Sequence, residues 1–118
     1  MKTYTIGVDL GGTNIKAGLV DEAHHIVGSV SCKTNLPRPE HEVEAEIAAL
    51  CSQLAQRAGL DMAAQIESVG IGTPGSVNPH TGVVEFNANF GYRNWPLVSA
   101  MEKLLPCRVY IENDANAA

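Results

Sequence analysis

The sequence predicts an α/β domain on a mixed five-stranded sheet, with an antiparallel three-stranded meander followed by helix, strand, helix and strand. Three observations lead there. Tyr4, Ile6, Val8 and Leu10 alternate with Thr5, Gly7 and Asp9, and Ile15, Ala17 and Leu19 alternate with Asn14, Lys16 and Gly18, the period of strands with one apolar face. From Glu40 the spacing lengthens, and Val43, Ile47, Leu50, Leu54 and Ala58 recur at helical intervals. A short apolar run, Ile66 to Gly72, and a further strand, Arg108 to Glu112, then bracket a second helical stretch.

In chain order, the first strands run from about Lys2 to Leu10 and from Asn14 to Asp21, with Gly11-Gly12 between them. Two residues without Cβ there suit a tight hairpin turn, free to take positive φ and to let backbone amides crowd a ligand. A Walker loop is excluded because no lysine follows the glycines, which lead into Thr13-Asn14. A dinucleotide fingerprint is excluded because the chain continues as strand and not as helix. What remains is a hairpin whose amides and Thr13 hydroxyl can hold phosphate oxygens, with Asp9 at the strand end able to hold Mg²⁺ through water.

A turn at Glu22-Ala23-His24-His25 leads to the third strand, Ile26 to Lys33. Adjacent histidines on a turn diverge and have no third ligand nearby, so they are read as solvated residues. Asn35-Leu36-Pro37-Arg38-Pro39 breaks the pattern before the first helix, which Gly59 stops. Glu40, Glu42, Glu44 and Glu46 at its start suit the helix dipole and form a solvent face.

Ile66 to Gly72 is a buried central strand, and Thr73-Pro74-Gly75-Ser76 forms a rigid loop at its carboxyl end, where ligands of open α/β sheets sit. Val77 to Val84 is a hairpin with Pro79 to Gly82 at its tip. Asn87 to Trp95 lacks periodicity and reads as an exposed loop. Its amides can pair with sugar hydroxyls and its rings can cover sugar C–H faces, while at least one of Phe90, Tyr92 and Trp95 anchors it to the core. Pro96 opens a helix with Leu97, Met101, Leu104 and Leu105 on one face, Pro106 ends it, and Asn113-Asp114 begins another after the last strand.

The 118 residues are 45% hydrophobic and 18% charged, which fits one ordinary domain. A net charge of −5 argues against a nucleic-acid surface and offers nothing to anionic membranes. Cys32, Cys51 and Cys107 are an odd number at long spacings, without zinc-type spacing; read as buried small hydrophobes or idle thiols, they suggest a reducing compartment. With no apolar span and no leader sequence, the expectation is a cytoplasmic protein. A helix cut in its first turn is marginal alone, so the chain is expected to be a fragment or the first domain of a longer protein.

Asp9 to Asp21 (DLGGTNIKAGLVD), Gly70 to Val77 (GIGTPGSV), Asn89 to Leu97 (NFGYRNWPL) and Glu112 to Ala118 (ENDANAA) together resemble the amino-terminal domain of the ROK family. That family includes bacterial glucokinases and related sugar kinases of the actin-like ATPase (ribonuclease H-like) fold. The resemblance implies phosphorylation of a hexose 6-hydroxyl by ATP, with glucose first among the sugars. Gly11, Gly12 and Thr13 would face the ATP phosphates, with Asp9 near Mg²⁺ and Lys16 assisting. Gly75, Asn89, Asn113 and Asp114 would bind the sugar hydroxyls, and Asp114 would be the general base.

Where the family often reads Asn-Leu-Gly-Trp, this chain has Asn89-Phe90-Gly91-Tyr92, a change that bears on the choice of sugar. The resemblance also implies a carboxyl-terminal domain outside residues 1–118, with room there for a structural zinc, and a homodimer for the full-length protein. A sugar-responsive repressor of the same family is the rival reading, as is a kinase for another hexose or an N-acetylhexosamine. A repressor would carry a winged helix-turn-helix before the hairpin, where only three residues stand.

Overall fold

The computed structural model describes residues 4–87 and 90–113. Strands β1 (Tyr4–Leu10), β2 (Asn14–Val20) and β3 (Ile26–Lys33) form the expected meander. β4 (Ile66–Thr73) and β8 (Arg108–Asn113) extend it in parallel, giving a five-stranded sheet of order β3-β2-β1-β4-β8. A second, antiparallel sheet joins β5 (Ser76–Asn78), β6 (Val83–Asn87) and β7 (Tyr92–Trp95).

Helices cover one face of the larger sheet. α1 (Glu40–Arg57) turns Val43, Ile47, Leu50, Cys51 and Leu54 inward. Gly59, at φ 70°, closes it with its N–H on the Gln56 carbonyl and the Leu60 N–H on that of Ala55, so the helix ends where a left-handed residue is needed. Beneath α1 lie Ile6, Val8, Leu10, Ile15, Ala17 and Leu19, all buried. Each large aliphatic chain so enclosed contributes about 1.5–3 kcal/mol relative to exposure.

Among the described residues the other face is left open. Gly18, Gly7 and Gly70 stand abreast as register partners across β2, β1 and β4, with Tyr110 next in the row on β8. Two residues nearer the carboxyl ends of the parallel strands, the row reads Lys16, Asp9, Gly72 and Glu112. These rows line a broad open hollow of about 1040 Å³.

Several expectations change. The turn of the first hairpin is centred one residue later, on Gly12-Thr13, because the Gly11 N–H bonds the Asn14 carbonyl at 3.0 Å. Gly11 is not left-handed; a side chain is excluded there because its Cβ would lie 2.8 Å from the Asn14 carbonyl oxygen. The stretch Asn87 to Trp95 is not wholly an exposed loop. Tyr92 to Trp95 is a strand with both ends buried, and Phe90 is buried beside it.

A four-residue helix, α2 (Met62–Gln65), precedes β4, with the Asp61 side chain accepting from the Ala63 N–H. α3 (Leu97–Leu104) buries Leu97 and Met101 but leaves Leu104 half exposed. The chain has left the helix at Leu105, and that residue fills the core in its place. β8 continues through Asn113, where a helix start had been expected.

Candidate functional site

β1, β4 and β8 are mutually parallel, so their carboxyl ends meet at one edge of the sheet. Asp9 is the register partner of Gly72, Gly72 of Glu112, and Thr73 of Asn113. The Gly12-Thr13 turn follows β1 at this edge, and the Gly75 loop follows β4. Asn113 donates its side-chain N–H to the Gly75 carbonyl at 2.7 Å, which joins two of the expected sugar-binding residues directly. Gly75, Ser76, Val77, Pro79, Glu112 and Asn113 enclose a hollow of about 360 Å³. Glu112 lines this hollow and the sheet-face hollow as well.

Gly75 is a glycine for two reasons. Its φ is 102°, and a Cβ would fall 2.3 Å from the Phe86 carbonyl oxygen. The loop therefore runs closer to β6 than any side chain permits.

Asn87 holds this arrangement from below. It is 1% exposed, and its amide N–H groups donate to Thr73 Oγ1 at 3.1 Å and to the Pro74 carbonyl at 3.0 Å. Its own oxygens accept from the Phe90 and Gly91 backbone N–H groups. Asn87 thus ties the Gly75 loop to the turn that follows β6. Asn89, expected to bind sugar, and Asp114, expected to be the base, lie outside the described residues.

Phe90, Tyr92 and Trp95, the rings of the stretch expected to cover a sugar, are turned into the core. Tyr92 packs on Trp95 edge to face at 5.0 Å and on Phe90 at 5.4 Å between ring centroids, inside the core. The Tyr92 hydroxyl donates to the Arg38 carbonyl. Burial, reinforced by Glu40, pushes that hydroxyl above its ordinary titration range.

Asp9 and Lys16 are exposed neighbours across the β1–β2 pair, both on the open face. Among the described residues no group of three or more His, Cys, Asp or Glu could cage a metal. A Mg²⁺ that arrives with nucleotide phosphates needs only one or two carboxylates, with water completing its shell, and exposed Asp9 suits that donor set. His25 stands 3.7 Å from the Asp21 carboxylate. Backbone N–H groups of His25 and Ala23, the former the larger influence, hold the Asp21 carboxyl below its usual range.

No helix among the described residues is long and apolar enough to cross a membrane. Cys32, Cys51 and Cys107 form no disulfide with one another.

A mixed sheet with its antiparallel meander on one side, parallel strand ends at a common edge and a tight hairpin after the first strand is the architecture of the actin-like ATPases. A solved ROK family glucokinase from Streptomyces griseus, in complex with glucose and AMPPNP, superposes with a TM-score of 0.84 at 37% identity, covering 97% of this chain and 34% of that one. The family model for ROK matches residues 5–118, and the chain belongs to the ROK family. Glucokinase of Thermotoga maritima is 36% identical over 117 residues, 98% of this chain and 35% of that protein. Glucokinase of Streptomyces coelicolor is 40% identical over 114 residues, 97% of this chain and 33% of that protein. The chain thus spans about a third of the length of the curated relatives it matches.

Proposed function

We propose that this chain is the amino-terminal domain of a hexose kinase whose complete form transfers the γ-phosphoryl group of ATP to the 6-hydroxyl of glucose. The observation that carries the reading is the shared edge. The hairpin after β1 and the Gly75–Asn113 hollow open at the same carboxyl ends of parallel strands, so a phosphate donor and a hydroxyl acceptor can be brought together there.

In this reading Gly11, Gly12 and Thr13 receive the phosphates through main-chain amides and the Thr13 hydroxyl, and Lys16 adds positive charge from the open face. Asp9 would hold Mg²⁺ through water, and the ion would neutralise charge on the phosphate oxygens. Gly75, Asn89, Asn113 and Asp114 orient the sugar. Asp114 accepts the proton of the attacking hydroxyl. An ordinary aspartate suffices, because a loose transition state asks chiefly for alignment and for a late proton acceptor.

The full-length protein is proposed to act as a homodimer in the cytoplasm. The test is ADP release by the full-length protein with Mg-ATP across a panel of hexoses and N-acetylhexosamines. Turnover with glucose above all others supports the proposal. A folded protein that binds ATP but turns over none of the sugars refutes it.

A further inference from the structure

Thr34 is wholly buried although it carries a hydroxyl and directly follows an edge strand. Both of its donors are spent on the hairpin after β1. Its backbone N–H bonds the Thr13 carbonyl at 2.8 Å, and its Oγ1–H bonds the Gly11 carbonyl at 2.7 Å. The two carbonyls on either side of Gly12 are therefore held by one residue, 21 positions beyond Thr13.

In a planar trans peptide the C=O and the following N–H point in opposite directions. Holding the Gly11 and Thr13 carbonyls against Thr34 thus points the Gly12 and Asn14 N–H groups away from it. The orientation of these amides decides how a main-chain turn meets a phosphate oxygen.

Thr34 is itself fixed. Its carbonyl accepts from Arg38 Nη1 at 3.0 Å, and Arg38 is held in turn by Glu42 and Glu46 at the start of α1. The Arg38 carbonyl receives the Tyr92 hydroxyl from the small sheet. The mount under the hairpin therefore reaches both the first helix and β7 of the small sheet.

We infer that Thr34 is a positioning residue for nucleotide use: it sets the amide directions of the Gly12-Thr13 turn without touching the nucleotide. The inference rests on the reading that this hairpin receives ATP phosphates. The bland alternative is that Thr34 only satisfies buried carbonyls and stabilises the fold.

The two are separated in the full-length protein by Thr34→Val, which keeps the shape and the backbone N–H but removes the hydroxyl donor. Thr34→Ala repeats the loss without a methyl that could misfit, and Thr34→Ser restores the donor. Steady-state kinetics with ATP and hexose varied in turn are measured with thermal unfolding and hexose binding without nucleotide. The expected result is a fall of about 10-fold or more in kcat/KM for ATP in Thr34→Val and Thr34→Ala, the scale of one lost hydrogen bond with a carbonyl left unsatisfied. Hexose affinity stays as in the wild type, and Thr34→Ser recovers most of the ATP efficiency.

A lower melting temperature with unchanged kcat/KM for ATP overturns the inference and leaves Thr34 a structural residue. So does a loss in Thr34→Ser as deep as that in Thr34→Val, because the hydroxyl would then not be the operative group. A wild-type protein that neither binds ATP nor phosphorylates sugar removes the underlying reading and this inference with it.

Discussion

Trp95 donates its indole N–H to Glu44 Oε2 at 2.7 Å, tying the last strand of the small sheet to the first turns of α1. Trp95 is the single tryptophan and is 1% exposed, so its fluorescence reports the integrity of this junction. Glu44→Gln retains an acceptor and is expected to unfold near the wild-type urea midpoint. Glu44→Ala leaves a buried donor without its partner and is expected to lose about 1–3 kcal/mol. Equal midpoints for the two variants would show that the bond adds nothing.

Gly75 and Gly70 invite the same substitution with opposite results. Alanine at Gly75 meets the Phe86 backbone at 2.3 Å and inherits a φ of 102°, costing at least about 2 kcal/mol and disrupting the hollow that Asn113 closes. Alanine at Gly70 meets only the far end of the Tyr110 ring, which is 47% exposed and can swing aside. The strand gains from the lost glycine entropy, so the net change stays within about 1 kcal/mol. Chemical denaturation of both variants checks the ranking.

Burial, with a smaller contribution from Cys107, pushes the Cys51 thiol from an ordinary 9.0 up to about 12. The unfolded chain releases this proton first, so between those values the native state binds more protons and stability falls as pH rises. The contribution is complete below pH 9 and is lost on the way to 12. In urea titrations, the stability gap between wild type and Cys51→Ala is expected to narrow through this window. A gap that stays constant would contradict the sign.

Asp114→Asn in the full-length protein is expected to preserve most sugar binding and to lower turnover by at least ~10², the scale of general-base catalysis. Direct sugar titration and ADP release measure the two quantities separately. Turnover near that of the wild type would remove Asp114 from the role.

In the larger sheet β1, β2 and β8 were legible because each alternates exposed and buried residues, and β4 because a strand buried on both faces leaves a short apolar run. α1 was legible from its spacing and from Gly59. β7 was not, because its buried residues Tyr92 and Trp95 are three apart and Asn94, at φ 52°, turns the backbone between them. The period-two pattern is thereby broken. α2, at four residues, is too short to show any period.

Asp9, the hairpin, Gly75 and Asn113 were singled out as candidates by their place at strand ends and by the family resemblance, and in the fold they lie along one edge of the sheet. Thr34 and Asn87 were missed for the complementary reason. A buried polar residue that satisfies backbone groups looks, in a string of letters, the same as one that faces water. Only the fold shows which carbonyls need a donor.

The row of Gly18, Gly7 and Gly70 also has a mechanical meaning. Cross-strand side-chain pairs stiffen a sheet, and along that row three adjacent strands have none. Bending there is resisted on the open side by main-chain hydrogen bonds alone. Across β2, β1 and β4 that row is therefore the line along which cross-strand side-chain pairs brace the sheet least, just behind the edge bearing Asp9, Gly72 and Asn113.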